Sequence, residues 1–229
     1  MSLSRYGCAD LLNSKENKMQ ITLQGRSFTL LHEKALSNNE ESLLVIADVH
    51  LGKVNHFRKE GISMPLNAQQ GDYLNLKQLL DKIQPQKVYF LGDLFHSDYN
   101  YDWHHFEALI SCYPDTAFTL IKGNHDFIDV EKFERLGLQI VKDLIEDEQF
   151  IYSHEPITYE HSKLNIAGHI HPGITLSGKA NQSARIPCFY LRDNILLLPA
   201  FGTLTGLCIM DRSSVANVYA ILPGEVKKI

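Results

Sequence analysis

Ala117-Phe118-Thr119-Leu120-Ile121-Lys122-Gly123-Asn124-His125-Asp126 is the stretch whose reading decides the fold. The apolar run from Ala117 to Ile121 reads as a buried strand. It ends in a glycine followed by three polar side chains. A strand that stops this way puts a tight turn and ligand-capable groups at the carboxyl end of a sheet, where open α/β sheets bind their ligands. Alone the tetrapeptide Gly123-Asn124-His125-Asp126 is a weak signal. It gains force from four other strings that lie in order around it: Asp48-Val49-His50, Gly92-Asp93, His154 and Gly168-His169-Ile170-His171. Each follows an apolar run.

Working outward, Ser42 to Ala47 is a continuous apolar run that predicts a buried strand leading into Asp48. Residues 51–66 read as a loop. Asn67 with Gln70 three residues on makes a capping-box pattern. Tyr73, Leu76, Leu80 and Ile83 then recur at helical spacing until Pro85. Lys87 to Leu91 predicts a second strand. Further helices are expected from about Tyr101 to Cys112 and from about Asp129 to Leu136. Strand and helix alternate throughout, which predicts a parallel sheet. Upstream, the alternation from Gln20 to Leu31 with Gly25 in the middle predicts a hairpin. Downstream of Leu138 the pattern becomes short strands and turns: 138–142, 149–153, 164–168, 173–177, 185–191, 194–198, 207–210 and 215–222. These predict a second, mostly hairpin-connected sheet packed face to face on the first. Residues 1–18 are polar and unpatterned and read as an extension with little structure. Residues 19–229 read as one domain.

Composition narrows the class. A chain of 229 residues with 44% apolar residues can bury a sizeable core. A net charge of −5 argues against a broad nucleic-acid-coating surface, which is usually basic. Cys8, Cys112, Cys188 and Cys208 are far apart and form no C-x-x-C pair, as expected for a reduced cytoplasm. The first 18 residues lack an apolar core of the secretory kind. The most apolar long stretch, Ile195 to Met210, is broken by Pro199, Gly202 and Gly206, so no membrane span is expected.

The chemistry lies in the polar strings. Of eleven histidines, His50, His125, His154, His169 and His171 all fall within them. Asp48 and His50 are two apart and point to the same side if strand geometry continues, as do His169 and His171. Imidazole and carboxylate together suit a borderline divalent metal such as Mn, Fe, Zn or Co. Asp48, His50, Asp93, Asn124, His154, His169 and His171 offer too many ligands for one ion. They suit two ions sharing a bridging carboxylate. Such a pair activates a bound water and clamps the oxygens of an in-line phosphoryl displacement, so the residues point to metal-assisted phosphoester hydrolysis.

These strings together resemble the signature of the calcineurin-like metallophosphoesterases, over about Leu43 to His171. The resemblance implies a four-layer α-β-β-α sandwich of two mixed sheets, with two metals between the loops. It implies that Asp48, His50 and His171 hold the first metal, that Asn124, His154 and His169 hold the second, and that Asp93 bridges them. A hydroxide on the metals would be the nucleophile. His125 would contact the phosphate and protonate the leaving oxygen. Asp126 would orient His125.

A narrower resemblance rests on strings outside the metal site. Leu30-Leu31-His32-Glu33-Lys34-Ala35-Leu36, Ala47 to Lys53, Phe57 to Ile62 with Pro65, and Leu198-Pro199-Ala200-Phe201-Gly202 with Thr205-Gly206 resemble the PdeM family, the ligase-associated DNA damage response endonucleases. It spans about residues 20–210. Val49 stands where Leu is common and His32 where Pro is common. This resemblance implies a manganese-type phosphodiesterase or endonuclease acting on DNA in bacterial repair, beside a DNA ligase and a helicase. Two alternatives remain: an esterase for a small phosphoester or nucleotide, and a non-enzymatic scaffold, which the intact ligand set disfavours. Gly92-Asp93-Leu94-Phe95-His96 is similar to a string of SbcD-type repair nucleases and marks His96 as a contact to substrate or a support for Asp93. Lys53 and Arg58 are candidates for phosphate contacts. Phe201 is expected in the core rather than stacked on a base. His56, His104, His105 and His161 read as surface or structural.

Overall fold

The computed structural model describes residues 18–54, 58, 61, 66–96, 101–126, 130–158, 162–178 and 182–229, without the side chains of 66–70 and 101–102. The first sheet runs β1 (Met19–Leu23), β2 (Arg26–Leu31), β3 (Ala35–Asn38), β4 (Leu43–Ala47), β5 (Lys87–Leu91), β6 (Ala117–Ile121) and β7 (Leu138–Val141), in that spatial order. β1 to β4 pair antiparallel and β4 to β7 parallel. The parallel half needs crossovers, and α1 (Leu66–Ile83), α2 (Tyr101–Ile110) and α3 (Val130–Arg135) lie in those connections.

The second sheet contains β8 (Leu144–Glu146), β9 (Phe150–Ser153), β10 (Leu164–Ala167), β11 (Pro172–Ser177), β12 (Ser183–Arg192), β13 (Ile195–Leu197), β14 (Cys208–Ile209), β15 (Asn217–Leu222) and β16 (Glu225–Lys228). Its hairpins are as expected, but β10 pairs parallel with both β9 and β13, so the middle of the sheet is not hairpin-built. β7 was expected in this second sheet. It belongs instead to the first, parallel to β6, because its apolar residues continue the α-covered core: Leu138 packs with Phe118, Leu120 and Phe133.

Three short strands escaped the sequence reading. β3 has only four residues and two of them are polar, β8 has three residues, and β16 carries Glu225, Lys227 and Lys228. The helix expected to be capped by Asn67 begins at Leu66, which puts Asn67 inside the first turn. The second helix ends at Ile110, and Cys112 folds back in a turn onto the Leu109 carbonyl. The 1–18 extension, His56 and His161 lie outside the described residues, Lys18 excepted.

Alternation in the strands sorts the core into layers. Leu44, Ile46, Val88, Phe90, Phe118 and Leu120 meet Leu76, Leu80, Phe106 and Phe133 of the helices. Leu43, Val45, Leu91 and Ile121, on the opposite face, meet Phe150, Tyr152, Ile166, Phe189 and Tyr219 of the second sheet. The sandwich of two mixed sheets is therefore as the sequence implies. Its helical layers are uneven. Among the described residues all helices precede β7, and the far face of the second sheet carries its own apolar cluster around Ala167, Ile174, Cys188 and Val218. No helix among the described residues is long and apolar enough to cross a membrane. Cys112, Cys188 and Cys208 are free.

The two sheets are pinned by a ring contact and a cation. Phe28 of β2 meets Phe150 of β9 edge to face at 5.3 Å between centroids. Arg26 lies over Phe150 at 5.1 Å and bonds Glu41 at 2.6 Å and Asp147 at 2.7 Å. Phe150 is fully buried. Phe150→Ala should therefore cost about 3–5 kcal/mol of stability, the usual cost of emptying a phenyl-sized space, read from urea unfolding of the metal-stripped chain.

Candidate dinuclear metal centre

Every string singled out in the sequence lies at the carboxyl end of a strand. Asp48 follows β4, Asp93 follows β5, Asn124 and His125 follow β6, His154 follows β9, and His169 and His171 follow β10. The two sheets face each other, so residues far apart in sequence converge. The ligand atoms of Asp48, His50 and His171 lie within 4.8 Å of one another, and so do those of Asp93, His154 and His169. Asp93 links the groups: Oδ2 is 3.7 Å from His50 Nε2 and Oδ1 is 3.6 Å from His154 Nε2. His171 Nε2 lies 3.4 Å from Asp48 Oδ1. Asn124 Oδ1 joins the second group at 3.0 Å from His154 Nε2.

The convergence does not come from continued strand geometry, as the two-residue spacing suggested. β4 ends at Ala47, and the backbone turns left-handed at Asp48 (φ 53°) and His50 (φ 50°). Asp93, His169 and His171 are left-handed too, with φ 49°, 66° and 52°. Each such residue costs roughly 1–2 kcal/mol and persists only where its surroundings hold it.

A lattice of bonds does so here. The Asp126 carboxylate accepts from the backbone amides of Asp93 (2.9 Å), Leu94 (2.9 Å) and Gly123 (2.8 Å). Asp93 Oδ1 accepts from the amide of His125 at 2.9 Å, and Asp48 Oδ2 from that of His169 at 2.8 Å. The amides of His50, Leu51 and His96 bond the carbonyls of Asp93, Leu94 and Leu51. Two glycines let these turns close. A Cβ on Gly92, at φ +71°, would enter the His154 ring, and one on Gly123 would enter Asp93.

The electrostatics call for cations. His154 Nδ1 is 3.0 Å from the carbonyl of Leu91, which can only accept, so Nδ1 carries the proton and Nε2 presents its lone pair. Asn124 Oδ1, His169 Nδ1 (3.0 Å) and Asp93 Oδ1 all crowd that lone pair. In the first group Asp48 Oδ1, both ring nitrogens of His50 and His171 Nε2 are buried with no hydrogen-bond partner among the described residues. Leaving such groups unsatisfied is costly. Burial, followed by the nearby Lys53 and the rings of His171, His96 and His125, pulls His50 down to about 2. His50 is thus a neutral imidazole, the form that ligates. The residues present fit two divalent cations.

The remaining sequence candidates divide. The His125 ring stacks on His96 at 5.6 Å and meets His50 edge-on at 5.8 Å, so both His125 and His96 border the first group. Asp126 was expected to orient His125. Both of its oxygens accept from backbone amides, which ties the Asp93 turn to the Gly123 turn. Burial raises its pKa, against the pull of those amides. Lys53 is half-buried near Asp93, and burial lowers its pKa against that carboxylate. Arg58 is exposed, and no contact among the described residues joins it to the cluster. Phe201 is a core residue, as expected. His104 bonds Glu107, and His105 meets the Tyr73 ring on the helical side.

Sequence reading missed Lys122 and Lys142. They line a groove of about 490 Å³ together with Asn124, His154, Leu144 and Ile157, and with the acids Asp143 and Glu155. The signal was available, since both lysines follow directly on strands of the parallel sheet.

Two ligand groups at the facing carboxyl edges of a two-sheet sandwich define a metal-dependent phosphoesterase. The model of the calcineurin-like phosphoesterases matches residues 42–192, and the chain belongs to that family. The crystal structure of Pseudomonas putida nuclease MPE is similar over 93% of this chain and 100% of that one, with a TM-score of 0.79 and 26% sequence identity. No curated protein sequence matches.

The crowding of acceptors sets an expected outcome. Mn²⁺ at 100 times its dissociation constant should stabilise the chain by about 2.7 kcal/mol per site, or roughly 5–10 °C in Tm, and EDTA should remove the gain. Asp93→Asn should abolish most of that shift while the metal-stripped variant still unfolds cooperatively. A full Mn²⁺ shift in Asp93→Asn would remove Asp93 from the centre.

Proposed function

We propose that the chain hydrolyses phosphodiester bonds in nucleic acid, with two divalent ions held by the residues that converge between the sheets. The observation that carries this reading is the placement of Asp93, one carboxylate oxygen toward each ligand group. Asp48, His50 and His171 serve one ion, Asn124, His154 and His169 the other, and Asp93 both. Bound there, the ions would polarise the phosphoryl oxygens and supply an activated water. Manganese is the metal the PdeM resemblance favours, and the ligand set also suits Fe, Zn and Co.

The protein's own contribution is position and protons. His125 borders the first group with its amide tied to Asp93, so its ring is placed to meet an ester oxygen and protonate it on departure. His96 stacks on that ring and supports it. Lys53 sits where it can contact a phosphate. Residues 19–229 form the working unit in this reading.

Three things support nucleic acid over a small ester. The similar structure is that of a nuclease. The groove that opens from Asn124 and His154, with Lys122 and Lys142 set against Asp143 and Glu155 and an apolar wall of Leu144 and Ile157, has room at about 490 Å³ for the rest of a strand. The PdeM-like strings point the same way. A role in bacterial DNA repair, beside a ligase and a helicase in the cytoplasm, follows from that resemblance.

The test compares bis-p-nitrophenyl phosphate, p-nitrophenyl phosphate and a single-stranded oligonucleotide, each in Mn²⁺ and in EDTA. Metal-dependent turnover of the diester and the oligonucleotide is expected. His125→Ala should lose about 10²–10⁴-fold in kcat and keep the Mn²⁺-induced rise in Tm. Preference for the monoester would instead make the chain a phosphatase, and full turnover by His125→Ala would remove its acid role.

A further inference from the structure

Two of the PdeM-like strings, Leu30 to Leu36 and Leu198 to Gly202, contain no proposed ligand. The structure brings them together. Lys34 stands in the turn between β2 and β3, at φ 64°. Its ammonium donates to the carbonyls of Phe201 at 2.8 Å and Gly202 at 3.3 Å. The next residue, Thr203, donates its amide to Asp72 of α1 at 3.1 Å and its hydroxyl to the same carboxylate at 3.4 Å. A cation and an anion thus hold three consecutive residues from one side.

From the other side the same residues hold the end of β4. The amide of Phe201 donates to the carbonyl of Ala47 at 2.9 Å, and that of Gly202 to the carbonyl of Asp48 at 3.1 Å. The approach is so close that a Cβ on Gly202 would enter the Val49 carbonyl. Asp48 is one of the left-handed residues, and its carbonyl is held by Gly202 as its carboxylate is held by His169. Asp72 is buried and Lys34 partly so. Burial works against both charges, and each supports the other. Opposite charges buried near each other are expensive unless hydrogen bonds satisfy them, as the 201–203 backbone does here.

We infer that Lys34 and Asp72 form a brace that acts through the 201–203 loop to position Asp48, so that they set the affinity of the Asp48, His50 and His171 group for its ion. They are positioning residues and touch no ligand atom. The second group feels the brace less, because Asp93, Asn124 and His154 are held by Asp126, Leu91 and one another, and only the His169 amide bonds Asp48. The inference rests on the assignment of Asp48, His50 and His171 to one ion.

The experiment is calorimetric titration of Mn²⁺ into the metal-stripped full chain. His154→Ala leaves the first group and His50→Ala the second, and each variant should bind one ion. Lys34→Met should weaken the ion in the His154→Ala chain by about 10–100-fold, the usual effect of losing a partner just outside the ligands, and should weaken the ion in the His50→Ala chain by no more than about 3-fold, since only the His169 amide links that group to Asp48. Gly202→Ala, which displaces the same loop without touching either charge, should show the same asymmetry. Equal weakening in both backgrounds by both variants would mean a general structural role and overturn the brace. Unchanged affinity in the His154→Ala chain would overturn it as well. Two ions in either single-ligand variant would instead overturn the underlying assignment.

Discussion

Left-handed backbone at Asp48, His50, Asp93, His169 and His171 is the constraint on which the site depends. A strand that simply continued would carry alternate side chains to opposite faces of its sheet. Turning the chain at the strand end directs several donors back into the space between the sheets. The turn costs roughly 1–2 kcal/mol at each residue that has a Cβ. Small turns of this kind do not hold themselves, so the cost falls on whatever surrounds them. Here that is a set of backbone amides gathered onto the carboxylates of Asp126, Asp93 and Asp48.

The second requirement is that the sheets stay in register with each other. Asp48, His50, Asp93 and Asn124 come from the first sheet, and His154, His169 and His171 from the second. Neither sheet alone makes a complete group, since each combines a carboxylate of the first with imidazoles of the second. A slip of one sheet by a fraction of a strand spacing would separate them. The apolar layer around Val45, Leu91, Phe150 and Ile166 supplies the adhesion but little direction. Arg26 adds direction, because its bonds to Glu41 and Asp147 tie the β2 edge to the turn before β9.

Much of this was legible in the sequence, for a physical reason. Buried strands such as Leu43–Ala47, Lys87–Leu91 and Ala117–Ile121 are continuous apolar runs, and the ligands stand directly after them, so motif and strand marked each other. The short strand Ala35–Asn38 left no such trace, because its polar residues are buried by neighbouring strands rather than by its own pattern. Placing Leu138–Val141 in the wrong sheet had a related cause. A four-residue run shows that a strand exists but not which partner it pairs with. Asp126 was recognised as part of the site, but its bonds to amides 32 and 33 residues away in sequence are tertiary facts with no local signature.

Four interior polar residues outside the ligand set share one pattern. Asp126 binds the amides of the Asp93 and Gly123 turns, and Asp72 binds the amide of Thr203. Asn165, fully buried, accepts from the amide of Ile157 and donates to the carbonyl of Ile151 and the hydroxyl of Ser153, bracketing His154. Ser153 in turn donates to the carbonyl of Glu155. Asp126, Asn165 and Ser153 engage backbone beside a turn that presents a ligand, and Asp72 engages the 201–203 loop that bonds the end of β4. Regular strands satisfy their own amides and carbonyls, whereas a buried turn cannot and must be given partners. The sheets admit a few small polar residues such as Thr29 and Thr119 within strands, and the buried carboxylates outside the ligand set among the described residues, Asp72 and Asp126, both bond backbone of connecting loops. The same turns that strain the ligands expose their backbone groups, so the residues that fill those bonds also hold the strain in place.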